Sequence, residues 1–170
     1  MLTKEEKEKL ERLYQSLAKD EKILRLKDIQ MHRGSNCYIH SFKVAKVAVH
    51  RVMNHKGYNL ENVILGAILH DYYLYDWRVD HSKKKKHGRR HPLIAEENAK
   101  RDFNISPEVS EIIKCHMWPL TPHLFPKSKE AKLINYVDDV VATREALTSR
   151  RFKKKHLERS LKFIERLFDE

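Results

Sequence analysis

The chain has 170 residues and carries 35 Lys and Arg against 24 Asp and Glu, a formal net charge of +11. At 41% hydrophobic and 35% charged residues, it is too apolar for a disordered chain and too often interrupted by charge for a membrane span, and its length suits one domain, 1–170. Only 4 Gly and 5 Pro are too few for the many turns of a sandwich or barrel and point instead to long helices.

Met1–Lys7 has no apolar core or small-residue cleavage site, so no secretory signal is read there and the cytoplasm is the expected location. The longest uncharged stretch near the middle, Asn62–His70, falls far short of the ~20 residues of a membrane helix. Cys37 and Cys115 have no CxxC spacing and are read as reduced thiols.

Thr3 followed by Glu6 forms a capping box, and Leu10, Leu13, Tyr14 and Leu17 repeat at helical spacing, which predicts an opening surface helix. A short helix through Ile23, Leu24 and Leu26 follows. His32–Asn36 breaks the pattern before an apolar helix from Cys37 to about His55, stopped by a left-handed Gly57. Asn59 caps the next helix. It contains Val63–Leu69, apolar on every face, as in a helix buried within a bundle. Tyr72–Arg90 loses all periodicity and reads as a functional loop. Helix returns at about Pro92 to Asp102, and Ser106-Pro107 starts another that ends near His116. After a Pro-rich loop, Trp118–Ser128, Ser128 caps a helix from Lys129 to about Thr148. A final amphipathic helix uses Phe152, Leu157, Leu161, Ile164, Leu167 and Phe168.

The chemistry concentrates at His70-Asp71, which closes the most apolar helix. A buried lone carboxylate costs several kcal/mol unless a cation compensates it, so Asp71 needs either an Arg or Lys partner or a metal. His40 lies within an apolar helix, His91 opens one, His116 closes one and Asp138 lies in the last core helix. Around Asp138 the helical face holds Ala131, Ile134, Val141, Ala142 and Glu145, whereas Asp139 shares its face with Lys132 and Asn135. Asp138 therefore faces the core and Asp139 the solvent. His40, His70, Asp71 and Asp138 would hold one ion, and His91 and His116, with Asp71 bridging, a second. Such ligands suit Mn, Fe, Co, Ni or Zn. His91 as an N-terminal helix residue, and His116 as a C-terminal cation on the helix dipole, are the plain structural alternatives.

The order His40, His70-Asp71, His91, His116, Asp138 resembles the H…HD…H…H…D signature of the HD-domain superfamily of metal-dependent phosphohydrolases. Tyr38–Ala45 resembles that family's first-His helix, Gly66–Asp71 its small-apolar approach to HD, and His91-Pro92 with Ala95 its third-His helix. The resemblance covers a motif-bearing core of about 32–145, with flanking helices at 3–27 and 150–169. It implies an all-α bundle of about six to eight helices. The residue after the last Asp is Asp139 where the family often has Lys, and no Gly-Tyr-Pro motif follows HD, so the cyclic-di-GMP branch is not indicated. Tyr72–Arg78 and Cys115–Thr121 look like a small bacterial subgroup of unassigned substrate.

The resemblance implies one or two divalent transition metal ions that activate water and bind the phosphate of an anionic small molecule, with a nucleotide as one such substrate. Asp71 would position the attacking water. Arg33 can bind a phosphate bidentately or be merely solvated, and Asp76 can move a proton or simply close a turn. Tyr73, Tyr75, Trp77 and Trp118 can stack on a base or pack in the core. Lys83–Lys86 with Arg89 and Arg90 reads as a solvated run or as an attractor of polyanions, which places Lys84, Arg89 and Arg78 among candidate substrate contacts. His81 and His87 are read as surface residues. This run and Arg150–Lys155 together account for the whole surplus of +11, and the second run has no assigned role.

Two other functions compete. An HD-type di-iron oxygenase would use the same six ligands, and a nucleic-acid binding module would use the basic runs, although no RNA or DNA motif is present. Oligomeric state is not legible.

Overall fold

The computed structural model describes residues 2–31, 35–78 and 86–147. Within them the chain is all-α: α1 (Lys4–Lys19), α2 (Glu21–Leu24), a 3-10 turn (Arg25–Asp28), α3 (Cys37–Val52), α4 (Leu60–Leu69), α5 (His87–Phe103), α6 (Pro107–Cys115) and α7 (Lys129–Leu147). The expected final helix, Arg33, Lys84 and the second basic run lie outside the described residues. Among the described residues no helix is long and apolar enough to cross a membrane.

The helix starts follow local chemistry. Thr3 and Glu6 close the capping box, with Thr3 N–H donating to Glu6 at 2.7 Å and Glu6 N–H to Thr3 Oγ1 at 3.2 Å. The side chains of Asn36, Asn59, Ser106 and Ser128 each accept an amide from the first turn of α3, α4, α6 and α7. α3 ends at Val52, a few residues short of His55, and Gly57 takes its left-handed φ of +90° in the turn beyond it.

α5 departs most from expectation, beginning at His87 instead of Pro92. A proline inside a helix removes one amide donor, here the one that would reach the Gly88 carbonyl. The turn before it is held by other bonds: Lys86 O accepts from Arg89 and Arg90 N–H, and His87 O accepts from His91 Nδ1 at 3.0 Å.

The apolar α4 packs against α3, α6 and α7, which bury most of it, while Glu61, Asn62 and Leu65 stay half-buried. α4 and α6 approach closely at Gly66, where an added Cβ would lie 2.5 Å from Ile112 Cγ2. α1 covers the bundle with Leu10, Tyr14 and Leu17, and Tyr14 meets Phe42 of α3 edge-on at 5.2 Å. The segment after α4 is tied to α5, since Tyr72 donates to Asp102 at 3.0 Å and Asn98 Nδ2 to Tyr72 O at 3.1 Å. Asn135 of α7 donates to the carbonyls of His116 and Trp118 at 2.6 and 2.7 Å. It thereby satisfies the end of α6, whose last carbonyls have no partner within the helix.

Candidate metal centre

Five helices deliver the predicted residues to one buried point. His40 comes from the middle of α3, His70 and Asp71 from the end of α4, His91 from α5, His116 from the end of α6 and Asp138 from α7. All six are buried. Asp139 is exposed, as the helical-face argument required.

The outer nitrogens of the histidines are already committed. His70 Nδ1 lies 2.8 Å from Ala67 O, His91 Nδ1 3.0 Å from His87 O, and His116 Nδ1 2.7 Å from Ile113 O. A carbonyl only accepts, so each Nδ1 carries a proton and each ring turns its Nε2 inward; burial opposes the charged form of His70, but Asp71 and Asp138 outweigh it and raise its pKa. This is the arrangement by which metal-ligating histidines are oriented. His40 is held by a carboxylate, with Nδ1 3.1 Å from Glu145 Oε2. Glu145 is in turn bound by Lys43 at 2.5 Å and by Ser35 at 3.3 Å.

What converges inward is therefore a set of imidazole Nε2 atoms and carboxylate oxygens. His91 Nε2 stands 2.8 Å from His116 Nε2, and both rings carry their proton on the far nitrogen. Burial, followed by the neighbouring His91 and His70, pushes the His116 pKa down to about 3, so the ring does not supply a second proton. His70 Nε2 is buried without any hydrogen-bond partner. Desolvation alone would raise the pKa of Asp71 and Asp138, but the surrounding imidazoles hold both far below the usual carboxylate range, so both are anionic.

Asp71 divides its two oxygens. Oδ2 lies 3.4 Å from His70 Nε2, while Oδ1 lies 3.2 Å from His91 Nε2 and 3.7 Å from His116 Nε2. Asp138 Oδ1 lies 2.8 Å from His40 Nε2 and 3.5 Å from His70 Nε2. Ligands about 2.1 Å from a transition metal stand about 3.0 Å apart at a right angle and about 3.4 Å at a tetrahedral one, which matches these separations. Three overlapping groups, His40–His70–Asp71, His70–His116–Asp138 and Asp71–His91–His116, each keep their donor atoms within 4.8 Å of one another. These buried groups can hold a metal ion.

The surroundings correct one expectation and sharpen others. His87 is not a surface residue: it is half-buried and stacks on Trp77 at 5.2 Å and on His91 at 4.6 Å. Its Nδ1 bonds the Tyr75 hydroxyl at 2.9 Å, and burial pushes its pKa down to about 4. Tyr73 is buried beside Cys37, their polar atoms 3.1 Å apart, and meets His91 edge-on. Asp76 Oδ1 accepts the Arg78 amide at 2.9 Å, a turn-closing bond. The Arg78 guanidinium reaches Gln30 at 2.9 Å and the Met31 carbonyl. Trp118 packs edge-on against Phe125, and Arg89 is exposed in the first turn of α5. Among the described residues, the groups within ion-pair distance of Asp71 are histidines, not an Arg or Lys.

Glu145 was the functional residue not singled out in the sequence. Its signal was present: it sits seven positions after Asp138 on the same helical face, in a helix whose other buried residues, Asn135 and Asp138 apart, are apolar.

Comparison with protein-family models, with curated proteins and with solved structures found no match.

Proposed function

We propose that this protein is a metal-dependent phosphohydrolase of HD type, acting on a phosphate ester of an anionic small molecule, with nucleotides as the first substrate class to test. The observation that carries the reading is the two-sided placement of Asp71, one oxygen toward His70 and the other toward His91 and His116. Placed so, Asp71 with His70 on one side and His91 and His116 on the other would hold one or two of Mn, Fe, Co, Ni or Zn.

A bound divalent ion supplies Lewis acidity there, making water acidic enough to ionise near neutral pH and drawing charge from the phosphoryl oxygens. The chain's own residues do the remainder. Asp71 accepts a hydrogen bond from the attacking water and so orients it toward phosphorus. His40, pinned between Asp138 and Glu145, fixes one edge of the site. The apolar walls of α3 and α4 exclude bulk water, which strengthens each electrostatic contact inside. Asp76, whose Oδ1 also accepts the Arg78 amide, is the proposed group for taking up or giving a proton beside the leaving oxygen. Lys86, Arg89 and Arg90, exposed at the start of the helix that carries His91, form a positive approach for a phosphorylated substrate. Trp77 and Trp118, with Arg33, Arg78 and Lys84, are the proposed substrate contacts.

The test is metal analysis of protein purified without chelator, followed by phosphate release from a panel of nucleotides and sugar phosphates with Mn, Fe, Co or Ni added. About one or two equivalents of metal and a hydrolysed substrate are expected, with Asp71→Asn inactive. Metal-free protein with no phosphate released from any substrate refutes the proposal.

A further inference from the structure

A second concave region lies away from the buried histidines. It has a volume of about 380 Å³ and is lined by Arg51 and Val52 at the end of α3, His55 and Tyr58 in the turn that follows, and residues of the first half of α7. On α7, Lys129, Lys132, Leu133 and Tyr136 recur at the i, i+3, i+4 and i+7 spacing of a single helical face. Arg51 stands 11 residues beyond His40 on the same helix, about 16 Å along its axis, so this groove is separate from the metal centre.

Its lining is chemically one-sided. Arg51, Lys129 and Lys132 bring three permanent cations and His55 an imidazole, with no carboxylate among the lining residues. None of these four makes an ion pair among the described residues. Glu130, next in sequence to Lys129, is not among the lining residues and accepts the Asn59 amide at 3.0 Å. The cations instead lie on rings: Arg51 is 4.8 Å from the Tyr136 ring centre and Lys129 is 5.2 Å from that of Tyr58. Gly57 makes room for this, because a Cβ there would come within 2.7 Å of Lys129 Nζ. Val52 and Leu133 form a buried apolar floor, while half of Tyr136 stays open to solvent.

Like charges gathered without an acid repel one another, and in a concave surface they focus a positive potential. The protein outside its two basic runs is formally neutral, so this is a local concentration and not part of a general coat. The volume falls in the range of small-ligand pockets, and the combination of cations, aromatic rings and apolar floor fits a ligand with an anionic head and a flat body. We propose that this groove is a second ligand site, for a small phosphorylated molecule of the mononucleotide class. Its phosphate is held by Arg51, Lys129 and Lys132, and its ring lies against Tyr136 and the Val52–Leu133 floor.

Photolabelling of the full chain with 8-azidoadenosine 5′-monophosphate tests this, with labelled peptides located by mass spectrometry. Label is expected on peptides bearing Tyr58 or Tyr136, with adenosine monophosphate protecting at least tenfold better than adenosine or inorganic phosphate alone. Arg51→Gln combined with Lys132→Gln should lower labelling at least tenfold. Tyr136→Leu, which keeps every cation, should lower it severalfold, and His91→Ala should leave it unchanged, so the result stands apart from the proposed hydrolysis. Three outcomes overturn the proposal: label confined to peptides 70–91, labelling unchanged in the double variant, or phosphate protecting as well as the nucleotide.

Discussion

Gly66→Ala tests how the packing of two helices sets the metal centre. The new methyl would meet Ile112 Cγ2 at 2.5 Å, Cδ1 at 2.9 Å and Cβ at 3.0 Å. Carbon atoms prefer separations of about 3.5–4.0 Å, so α4 and α6 must part by about 1 Å at this point. Ile112 is fully buried and has no open side to turn into. Overpacking of this kind costs about 1–3 kcal/mol, against about 0.5–1 kcal/mol recovered because alanine suits a helix better than glycine. The net expectation is a loss of about 1–2 kcal/mol, read as a fall of about 0.5–1 M in the urea midpoint at unchanged m-value. The consequence reaches the site by simple periodicity. His70 follows Gly66 by four residues and His116 follows Ile112 by four, so both ligands stand one turn beyond the contact on the same faces. Their rings, 4.9 Å apart, would separate with the helices, and metal content should fall with stability. Ile112→Ala alone leaves a cavity and costs about 2–5 kcal/mol, but combined with Gly66→Ala the new methyl fills part of that space. The double variant should therefore be more stable than the sum of the single losses by about 1–2 kcal/mol. A Gly66→Ala protein as stable as the parent, or strictly additive effects in the double variant, would refute the close-contact argument.

His91→Ala should lower metal content to about one equivalent where the parent holds two, because it strips one ligand from the Asp71–His91–His116 group and leaves His40–His70–Asp71 whole; elemental analysis reads the ratio. Glu145→Gln keeps a hydrogen-bonding group beside His40 but removes its charge and the Lys43 pair, and should weaken metal affinity about 10–100-fold in a chelator competition with the helical circular dichroism retained. In metal-free protein, burial opposes the charged form of His40, but bonds to Asp138 and Glu145 outweigh it and raise the pKa from 6.5 to about 10. That stabilisation is whole below pH 6.5 and disappears as pH rises toward 10. Glu145 behaves oppositely. Burial raises its pKa, His40 and Lys43 overcome this and bring it from 4.5 to about 2, and its contribution is whole above pH 4.5 and lost as pH falls through 2. Urea midpoints of metal-free protein should therefore peak near pH 5–6, with each group contributing a slope of at most about 1.4 kcal/mol per pH unit on its side. Bound metal should remove the alkaline decline, since it requires the His40 Nε2 lone pair.

The helices were legible because their signals are local. Caps at Thr3, Asn59, Ser106 and Ser128 satisfy amides three residues away, and the unbroken apolar run Val63–Leu69 needs only the helical period to place apolar residues on every face, all of them buried except the half-buried Leu65. The same period separated Asp138 from Asp139 without any tertiary information. Where local signals conflicted, at Pro92, the start of α5 went elsewhere, because stacking of His87 between Trp77 and His91 supports a turn that a proline alone would discourage. A stretch rich in Lys and Arg also concealed His87, whose burial depends on aromatic residues ten to fourteen positions earlier in the chain.

The amino-acid sequence by itself determined that this protein is a helical bundle with histidines and aspartates set into its apolar helices, since a buried ionisable group must be answered by something and only the residue types need be known to say so. It did not determine what answers them. That Asp71 turns one oxygen to His70 and the other to His91 and His116, that Glu145 reaches His40 across 105 positions of chain, and that Arg51 and Tyr136 meet in one groove were decided by the angles and distances at which α3, α4, α5, α6 and α7 pack. Helical periodicity places a side chain on a face of its own helix. Which faces meet is settled only when whole side-chain surfaces interlock, and that sum runs over residues far apart in sequence.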